Sequence, residues 1–352
     1  MRVNCKQMLI GGGKNETSRF CYKRINSFKK WIDVTPIVFD FSKKVELLDY
    51  IKGWSILFVI LTHCLSRPIR SHLLFCTWGQ MAVPLFLLVS TTLFYRYGRP
   101  TEINFHIEKL WARIIRPYCI FLLVMVICTL CLGTENIHSV LTKIIHKGGF
   151  GPGAYYVPMF VLFSLILPLT SSFLSSYRKM FVLFILFLVI SIASIIYLPS
   201  NPYRLLPVRY LFLIPLGYIW AIKGICLNKV TMSLSFISFI SLIVFHYSHM
   251  SFYPFFYTTQ PWDYANWICY FWPAFFMPFV FRFLHYRNIV NTNYVFQYLG
   301  KRSYEIFILQ MAVFYYLRHF GFITSHLPLY VFLSITLSIL PVYLYDKVKK
   351  RA

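Results

Sequence analysis

Three ionisable residues, Asp49, Lys52 and His63, fall in or beside the first long apolar segment of the chain. Ionisable side chains inside a membrane cost roughly 2.5–3.5 kcal/mol each on insertion scales, so they indicate function by default. A lysine binds anions as a point charge, and an imidazole titrates near neutral pH and suits proton transfer from a hydroxyl. The segment therefore predicts an anion contact and a general base.

The spacing of these residues predicts how a helix would present them. Eleven residues of α-helix turn through about 1100°, three turns plus about 20°, and rise about 16 Å. We therefore expect Lys52 near the membrane rim and His63 deeper on the same face. Asp49 is three residues from Lys52, which allows the two to pair. A purely structural role remains an alternative for His63, because a histidine inside a helical bundle can hydrogen-bond a neighbouring helix.

The composition is that of an integral membrane protein. The 352 residues are 58% hydrophobic and 13% charged, which is typical of a polytopic chain. We expect an all-α fold of about ten transmembrane helices. Their centres fall near residues 60, 85, 125, 162, 187, 213, 238, 274, 313 and 336. The transmembrane domain would span 45–346, between a disordered basic tail at 1–44 and a short basic tail at 347–352.

The distribution of cations predicts the orientation. With ten spans, only seven of the 35 Lys and Arg residues fall in loops opposite the termini. These seven are Arg67, Arg70, Lys143, Lys147, Arg204, Arg209 and Arg318. The positive-inside rule then places both termini in the cytoplasm. The net charge of +24 is explained by topology and anionic lipid rather than by nucleic acid.

The loops on the opposite side include two of interest. Residues 147–153 are rich in glycine and predict a flexible lead into the fourth span. Loop 246–266 holds Trp262 and Asp263 among Phe and Tyr residues. This mixture is typical of a sugar-binding surface and also of interfacial anchoring. The nine cysteines are scattered and imply no disulfide framework, and we predict no metal site.

Five motifs resemble the bacterial membrane acyltransferase 3 family. The segment 48–53 with His63 eleven residues after Lys52 is similar to the family's signature of Arg or Lys, ten residues and His. Lysine in place of arginine gives a single-point ammonium in place of a bidentate guanidinium. The segment 81–90 is similar to the family's Phe-rich second span, with Thr91 where the family has glycine.

The other three motifs lie further along the chain. The segment 113–118 matches the family's Arg-x-x-Arg start of span three, and 153–158 is similar to the aromatic pair that opens span four. The fifth motif is the segment 299–306. It is followed by Gln310, at a position where many members of the family carry histidine.

The family O-acylates sugars of surface and exported polysaccharides. The resemblance implies an O-acyltransferase, specifically an O-acetyltransferase, of the bacterial cytoplasmic membrane. It would move an acyl group from cytoplasmic acyl-CoA to a sugar hydroxyl of a polysaccharide or its lipid-linked precursor. The predicted catalytic residues are His63, Asp49 and Lys52. Acyl-CoA would contact Lys52, Ser55, Arg113 and Arg116, and the acceptor would contact Tyr156, Glu305, Gln310, Trp262 and Asp263.

Two other classes of protein remain open. A polysaccharide or lipid-linked glycan transporter or flippase would also have many spans and intramembrane charge. Such transporters tend to carry internal repeats with Gly/Pro-broken helices in matching halves, which this sequence does not display. A membrane scaffold or sensor is the second alternative, although it has little reason to keep ionisable groups inside the bilayer.

Overall fold

The structure, a computed structural model, describes nine stretches of the chain. They are 37–39, 46–98, 102–174, 176–198, 200–248, 267–287, 292–318, 320 and 326–349. Trp262 and Asp263 lie outside the described residues, and so does most of the predicted tail at 1–44.

The described residues form helices and one short two-stranded ribbon. The helices are α1 (Glu46–Cys64), α2 (Arg67–His72), α3 (Phe75–Trp78), α4 (Ala82–Tyr97), α5 (Ile103–Leu110), α6 (Arg116–Cys131), α7 (Ile137–Lys147), α8 (Tyr156–Leu174), α9 (Tyr177–Tyr197), α10 (Ser200–Leu205), α11 (Leu213–Lys223), α12 (Lys229–Ser248), α13 (Met277–Arg287), α14 (Thr292–Lys301), α15 (Ser303–Leu317) and α16 (Leu327–Lys349). The strands β1 (Ile37–Phe39) and β2 (Ile225–Leu227) pair antiparallel. Strand β1 lies within the range predicted as a disordered tail.

Among the described residues, seven helical segments are long and apolar enough to cross a membrane. They are Glu46–Cys64, Phe75–Tyr97, Ile103–Cys131, Tyr156–Leu174, Tyr177–Tyr197, Trp267–Tyr286 and Leu327–Lys349. Three shorter apolar helices, Leu213–Ile222, Lys229–Val244 and Ser303–Leu317, coincide with the other three predicted spans. The protein is thus a helical multi-pass membrane protein, and the count of ten stays a prediction.

Helix α1 carries the ionisable residues and lies at the centre of the bundle. Its most extensive contact with another described element is with α14. A Cβ atom on Gly53 would lie 1.9 Å from the carbonyl oxygen of Phe296, and one on Gly300 would lie 1.8 Å from that of Asp49. The two backbones therefore touch through glycines, as small residues permit in membranes. Trp54 stacks on Phe296 beside this contact, with ring centroids 4.1 Å apart.

A second close contact joins α4 and α11. Thr91, which stands where the acyltransferase 3 pattern has glycine, is fully buried against Gly217 of α11. A Cβ atom on Gly217 would lie only 2.6 Å from that of Thr91. The glycine needed for close approach is therefore supplied by the partner helix.

The glycine-rich segment before α8 is packed against the bundle, in place of the predicted flexible lead. Gly148, Gly151 and Gly153 have positive φ angles of 78°, 76° and 85°, which only glycine adopts readily. Phe150 is fully buried. A Cβ atom on Gly151 would collide with the carbonyl oxygen of Met311 at 2.3 Å. The segment thus rests directly on α15.

Candidate functional site

His63 lines a small internal cavity near the end of α1. The cavity has a volume of about 60 Å³, and its wall includes Thr62, Gln80 and Tyr155. The imidazole meets the ring of Phe314 edge to face, with centroids 5.7 Å apart. A Cβ atom on Gly153 would lie 3.6 Å from Nε2 of His63. His63 therefore faces the interior of the bundle rather than lipid.

Lys52 lines a second, larger cavity of about 600 Å³. Its ammonium nitrogen lies 2.7 Å from Oδ1 of Asp49, and the Asp49 carboxylate is buried. Because a charge left alone in a low-dielectric interior is strongly unfavourable, Asp49 neutralises Lys52 and fixes its position. The pairing expected from their spacing is present, and Asp49 itself does not line the cavity.

Aromatic rings stand between the two cavities. Tyr156 and Phe307 line the larger cavity with Phe86, and the ring of Tyr156 lies 5.1 Å from Phe307 and 6.4 Å from Phe86. A Cβ atom on Gly153 would lie 3.5 Å from the Phe307 ring and 3.6 Å from Nε2 of His63. Neither of these two cavities is lined by both Lys52 and His63. The rings form an aromatic partition (Phe86, Tyr156 and Phe307) between the cation and the imidazole.

Arg113 lines the larger cavity, whereas Arg116 lies on the surface. Arg113 sits in a π-helical segment, Trp111–Ile115, that joins α5 to α6. Such π-bulges occur frequently at functional sites. Arg113 also lines an adjoining cavity of about 390 Å³ together with His106 and Lys109. The side chain of Arg116 is exposed and lines neither space.

The remaining predicted site residues are dispersed. Glu305 lines the larger cavity at its rim, where its carboxylate pairs with Arg302 at 3.0 Å. Ser55 is fully buried and donates a hydrogen bond to the carbonyl of Ile51 at 2.8 Å, outside both cavity walls. Gln310 is fully buried, and neither atom of its amide has a hydrogen-bond partner among the described residues.

Arg302 has a second, structural role. Its guanidinium contacts the Asp346 carboxylate through two nitrogens, at 2.8 and 2.6 Å. Tyr298 donates to the same carboxylate at 3.0 Å. Burial, followed by the hydrogen bond to the Asp346 carboxylate, raises the pKa of the Tyr298 phenol to about 12. This network ties the junction of α14 and α15 to α16 and so supports the rim of the larger cavity.

A family model described as an acyltransferase domain, acyltransferase 3, matches residues 45–346. That range covers most of the chain. The chain belongs to the acyltransferase 3 family. No curated protein and no solved structure gives a significant match. The transmembrane domain predicted from the sequence coincides with the matched range.

In this acyltransferase, the family-like motifs meet around the two cavities. The first and last motifs contact each other through Gly300, where an added Cβ atom would lie 1.8 Å from the carbonyl oxygen of Asp49. The fourth motif supplies Tyr155 to the small cavity and Tyr156 to the large one, and the third supplies Arg113. Motifs far apart in the sequence thus line two neighbouring cavities.

Several residues of this site were missed by sequence reasoning. Gln80, Tyr210 and Tyr270 line the small cavity with His63. No local pattern distinguishes these residues from ordinary interfacial side chains. Arg209, expected from the sequence to lie in a loop, is fully buried in a 3₁₀ turn next to Tyr210, which lines the small cavity. In the sequence, only the position of Arg209 among several prolines and tyrosines distinguishes it from an ordinary loop cation.

Proposed function

We propose that this acyltransferase is an O-acetyltransferase of the bacterial cytoplasmic membrane. It transfers an acetyl group from cytoplasmic acetyl-CoA to a sugar hydroxyl of a surface or exported polysaccharide, or of its lipid-linked precursor. The observation that carries the proposal is the arrangement of α1. This helix presents Lys52 to one internal cavity and His63 to another, with the aromatic partition between them.

The larger cavity suits the donor. Its cations, Lys52, Arg113 and Lys301, favour the phosphates of acetyl-CoA by charge and by hydrogen bonding. The rise of about 16 Å from Lys52 to His63 along the helix is of the order of the extended pantetheine arm, roughly 20 Å by chain dimensions. The thioester would then reach the aromatic partition, next to Tyr156 and Phe307.

The proposed reaction is direct acyl transfer. His63 accepts the proton of the sugar hydroxyl while the hydroxyl oxygen attacks the thioester carbonyl carbon. The tetrahedral intermediate collapses with cleavage of the carbon–sulfur bond. The proton then passes from His63 to the departing sulfur, which gives the acetyl ester and the CoA thiol. In this proposal Gln310, one helical turn from Phe307 and from Phe314, donates its amide to the thioester oxygen or to the carbonyl oxygens of pantetheine.

The test uses membranes that contain the native acceptor. We expect His63→Ala and the near-isosteric His63→Gln to lower acetyl transfer from radiolabelled acetyl-CoA at least a hundredfold, the usual minimum contribution of a general base. His138→Ala is the matched control, because His138 lies exposed on α7. CoA thiol release is measured in parallel with label in glycan.

Two results would contradict the proposal. Transfer at the wild-type rate in the His63 variants would show that His63 is not the general base. Wild-type membranes that move glycan but consume no thioester would favour the transporter. Equal protein levels in all membranes, measured by immunoblot, exclude a difference in expression.

A further inference from the structure

The segment formed by α5 and the π-helical turn after it has two different faces. Ile103, Ile107 and Trp111 recur every four residues, so they share one face, and all three are exposed. An exposed apolar stripe that includes a tryptophan is typical of a helix at the membrane interface. Another face lines the cavity of about 390 Å³ with Phe105, His106, Lys109 and Arg113. A cavity beside such a helix lies at the level of the lipid headgroups rather than of the acyl chains.

This cavity, which we call the side cavity, adjoins the larger cavity of Lys52. The residues that line both are Ser90, Leu93, Arg113, Ile114 and Phe160. The two volumes, about 600 and 390 Å³, both fall in the range of roughly 300–1,000 Å³ that is usual for small-molecule sites. A ligand longer than the larger cavity thus has a second space next to Arg113.

The side cavity combines aromatic rings with cations. Phe94, Tyr97 and Phe105 all line it, and Tyr97 is 48% exposed, so part of its ring is accessible to a ligand. The ammonium of Lys109 lies over the Phe105 ring, 4.0 Å from its centroid. Aromatic rings stack on any nucleobase because every base has a π-face, and ammonium and guanidinium groups bind phosphate. Rings and cations in one cavity are therefore the chemistry of a nucleotide site.

His106 fixes α5 against its neighbours. Its Nε2 donates a hydrogen bond to the carbonyl oxygen of Ser164 on α8 at 2.9 Å. Its ring meets that of Phe94 on α4 edge to face, with centroids 4.8 Å apart. The wall of the side cavity is thus in place before a ligand binds, which lowers the entropic cost of binding.

We propose that the side cavity binds the 3′-phosphoadenosine half of the donor, and that the protein therefore selects CoA thioesters over thioesters of pantetheine alone. The order of groups along CoA matches the order of the walls. With the thioester at the aromatic partition, the diphosphate meets Arg113, which lines both cavities. Lys109, about one helical turn before Arg113, then meets the 3′-phosphate, and the adenine stacks on Tyr97. This assignment rests on the proposed function and specifies which part of the donor is recognised.

The first test measures binding without acyl transfer and without an acceptor. The full chain is placed in phosphatidylcholine nanodiscs, and the Tm is titrated at matched ionic strength with CoA, dephospho-CoA, adenosine 3′,5′-bisphosphate and pantetheine. Ligands that bind the folded state raise the Tm. We expect the bisphosphate to raise the Tm at concentrations where pantetheine has no effect. Dephospho-CoA, which lacks only the 3′-phosphate, should bind at least tenfold more weakly than CoA.

Variants locate the subsite. Lys109→Gln should weaken the affinity for CoA at least tenfold and leave that for dephospho-CoA unchanged, because only the partner of the 3′-phosphate is lost. Tyr97→Leu should weaken both ligands at least fivefold, the lower end for loss of a base–aromatic stack. Lys179→Gln is the matched control, because Lys179 is exposed on α9 and lines neither cavity. Since each variant is compared on two ligands, a general loss of folding cannot imitate the pattern of Lys109→Gln.

Three outcomes would overturn the assignment. CoA and dephospho-CoA could bind the wild-type protein equally well, or Lys109→Gln could weaken both ligands by the same factor. In nanodiscs that contain phosphatidylglycerol, loss of the preference for CoA over dephospho-CoA would assign Lys109 to lipid headgroups.

The same data separate this assignment from the proposed function. If CoA and dephospho-CoA bind equally while His63→Ala still abolishes acetyl transfer, only the nucleotide subsite is wrong. If none of the four ligands raises the Tm, the protein has no CoA site and the proposed donor is wrong as well.

Discussion

The buried side-chain amide of Gln310 differs from that of an ordinary structural glutamine, which would be hydrogen-bonded. It lies on α15 between Phe307 and Phe314, and its amide is fully buried with no hydrogen-bond partner among the described residues. An unsatisfied amide destabilises a fold, and replacement by an apolar group of similar shape is often neutral or favourable. Gln310 lies one helical turn from Phe314, whose ring meets His63, so we expect its amide to take part when substrate is bound.

We therefore expect Gln310→Leu to separate stability from activity. The Tm should stay the same or rise, while kcat for acetyl transfer should fall at least tenfold through loss of one hydrogen bond in the transition state. Tm by nanodisc thermal unfolding and kcat by thiol release are the measurements.

Ser338→Ala is the control for this residue. The Ser338 hydroxyl is also buried without a partner among the described residues, but it lies on α16 rather than on α15, the helix that carries Phe307 and Phe314. Its removal should leave kcat unchanged. A wild-type kcat in Gln310→Leu would show that the amide has no part in the reaction.

At the scale of elements, the contact between α1 and α14 positions Lys52. Gly53 and Gly300 bring the two backbones together. Lys52 directly precedes Gly53, Lys301 directly follows Gly300, and both lysines line the same cavity. The aromatic stack of Trp54 on Phe296 adds buried area to the contact. The position of the cation therefore depends on how closely two helices approach.

Gly53→Ala should disturb this approach. The added Cβ atom would meet the Phe296 carbonyl at 1.9 Å, and overpacking of this kind costs about 1–3 kcal/mol. We expect a lower Tm and a higher KM for acetyl-CoA, with a smaller effect on kcat, because the donor site moves and His63 stays. Thermal unfolding and donor titrations of the thiol-release rate provide both values.

Gly133→Asn tests whether any glycine substitution has the same effect. No atom lies within 4 Å of a Cβ atom at Gly133, whose φ is 62°, and asparagine tolerates that conformation. This variant should behave as wild type. If Gly53→Ala also did so, the close contact would not be needed to position Lys52.

For the whole molecule, the number of spans decides where the termini lie. Ten spans put both termini on one side, and the seven longest segments alone would put them on opposite sides. A green fluorescent protein fused after Ala352 should therefore fluoresce, and alkaline phosphatase fused at the same point should be inactive. Fusions after Lys147 should give the reverse pattern.

The same fusions at the N-terminus provide the control. A fluorescent N-terminal fusion together with an active C-terminal phosphatase would mean an odd number of spans and would refute the predicted topology. Acetyl-CoA would still enter from the cytoplasm. The fusion results would therefore also decide which of the two cavities faces the cytoplasm.

The sequence by itself determined the class of protein, a helical membrane protein, and its family. Apolar run lengths and helical spacing are local properties, and they specify membrane helices and a Lys52–His63 pair on one of them. The pairing of Asp49 with Lys52 follows from the same geometry. All of these features can be read from residues less than one helix length apart.

Only the tertiary structure decided how the site is enclosed. The meeting of Gly53 with the Phe296 backbone, the packing of Gly151 on Met311 and the burial of Arg209 among tyrosines each join residues from distant segments. Such contacts depend on which helix faces meet and how closely, and no local pattern of hydrophobicity encodes that choice. The aromatic partition between Lys52 and His63 exists only because three helices, α4, α8 and α15, bring their rings together.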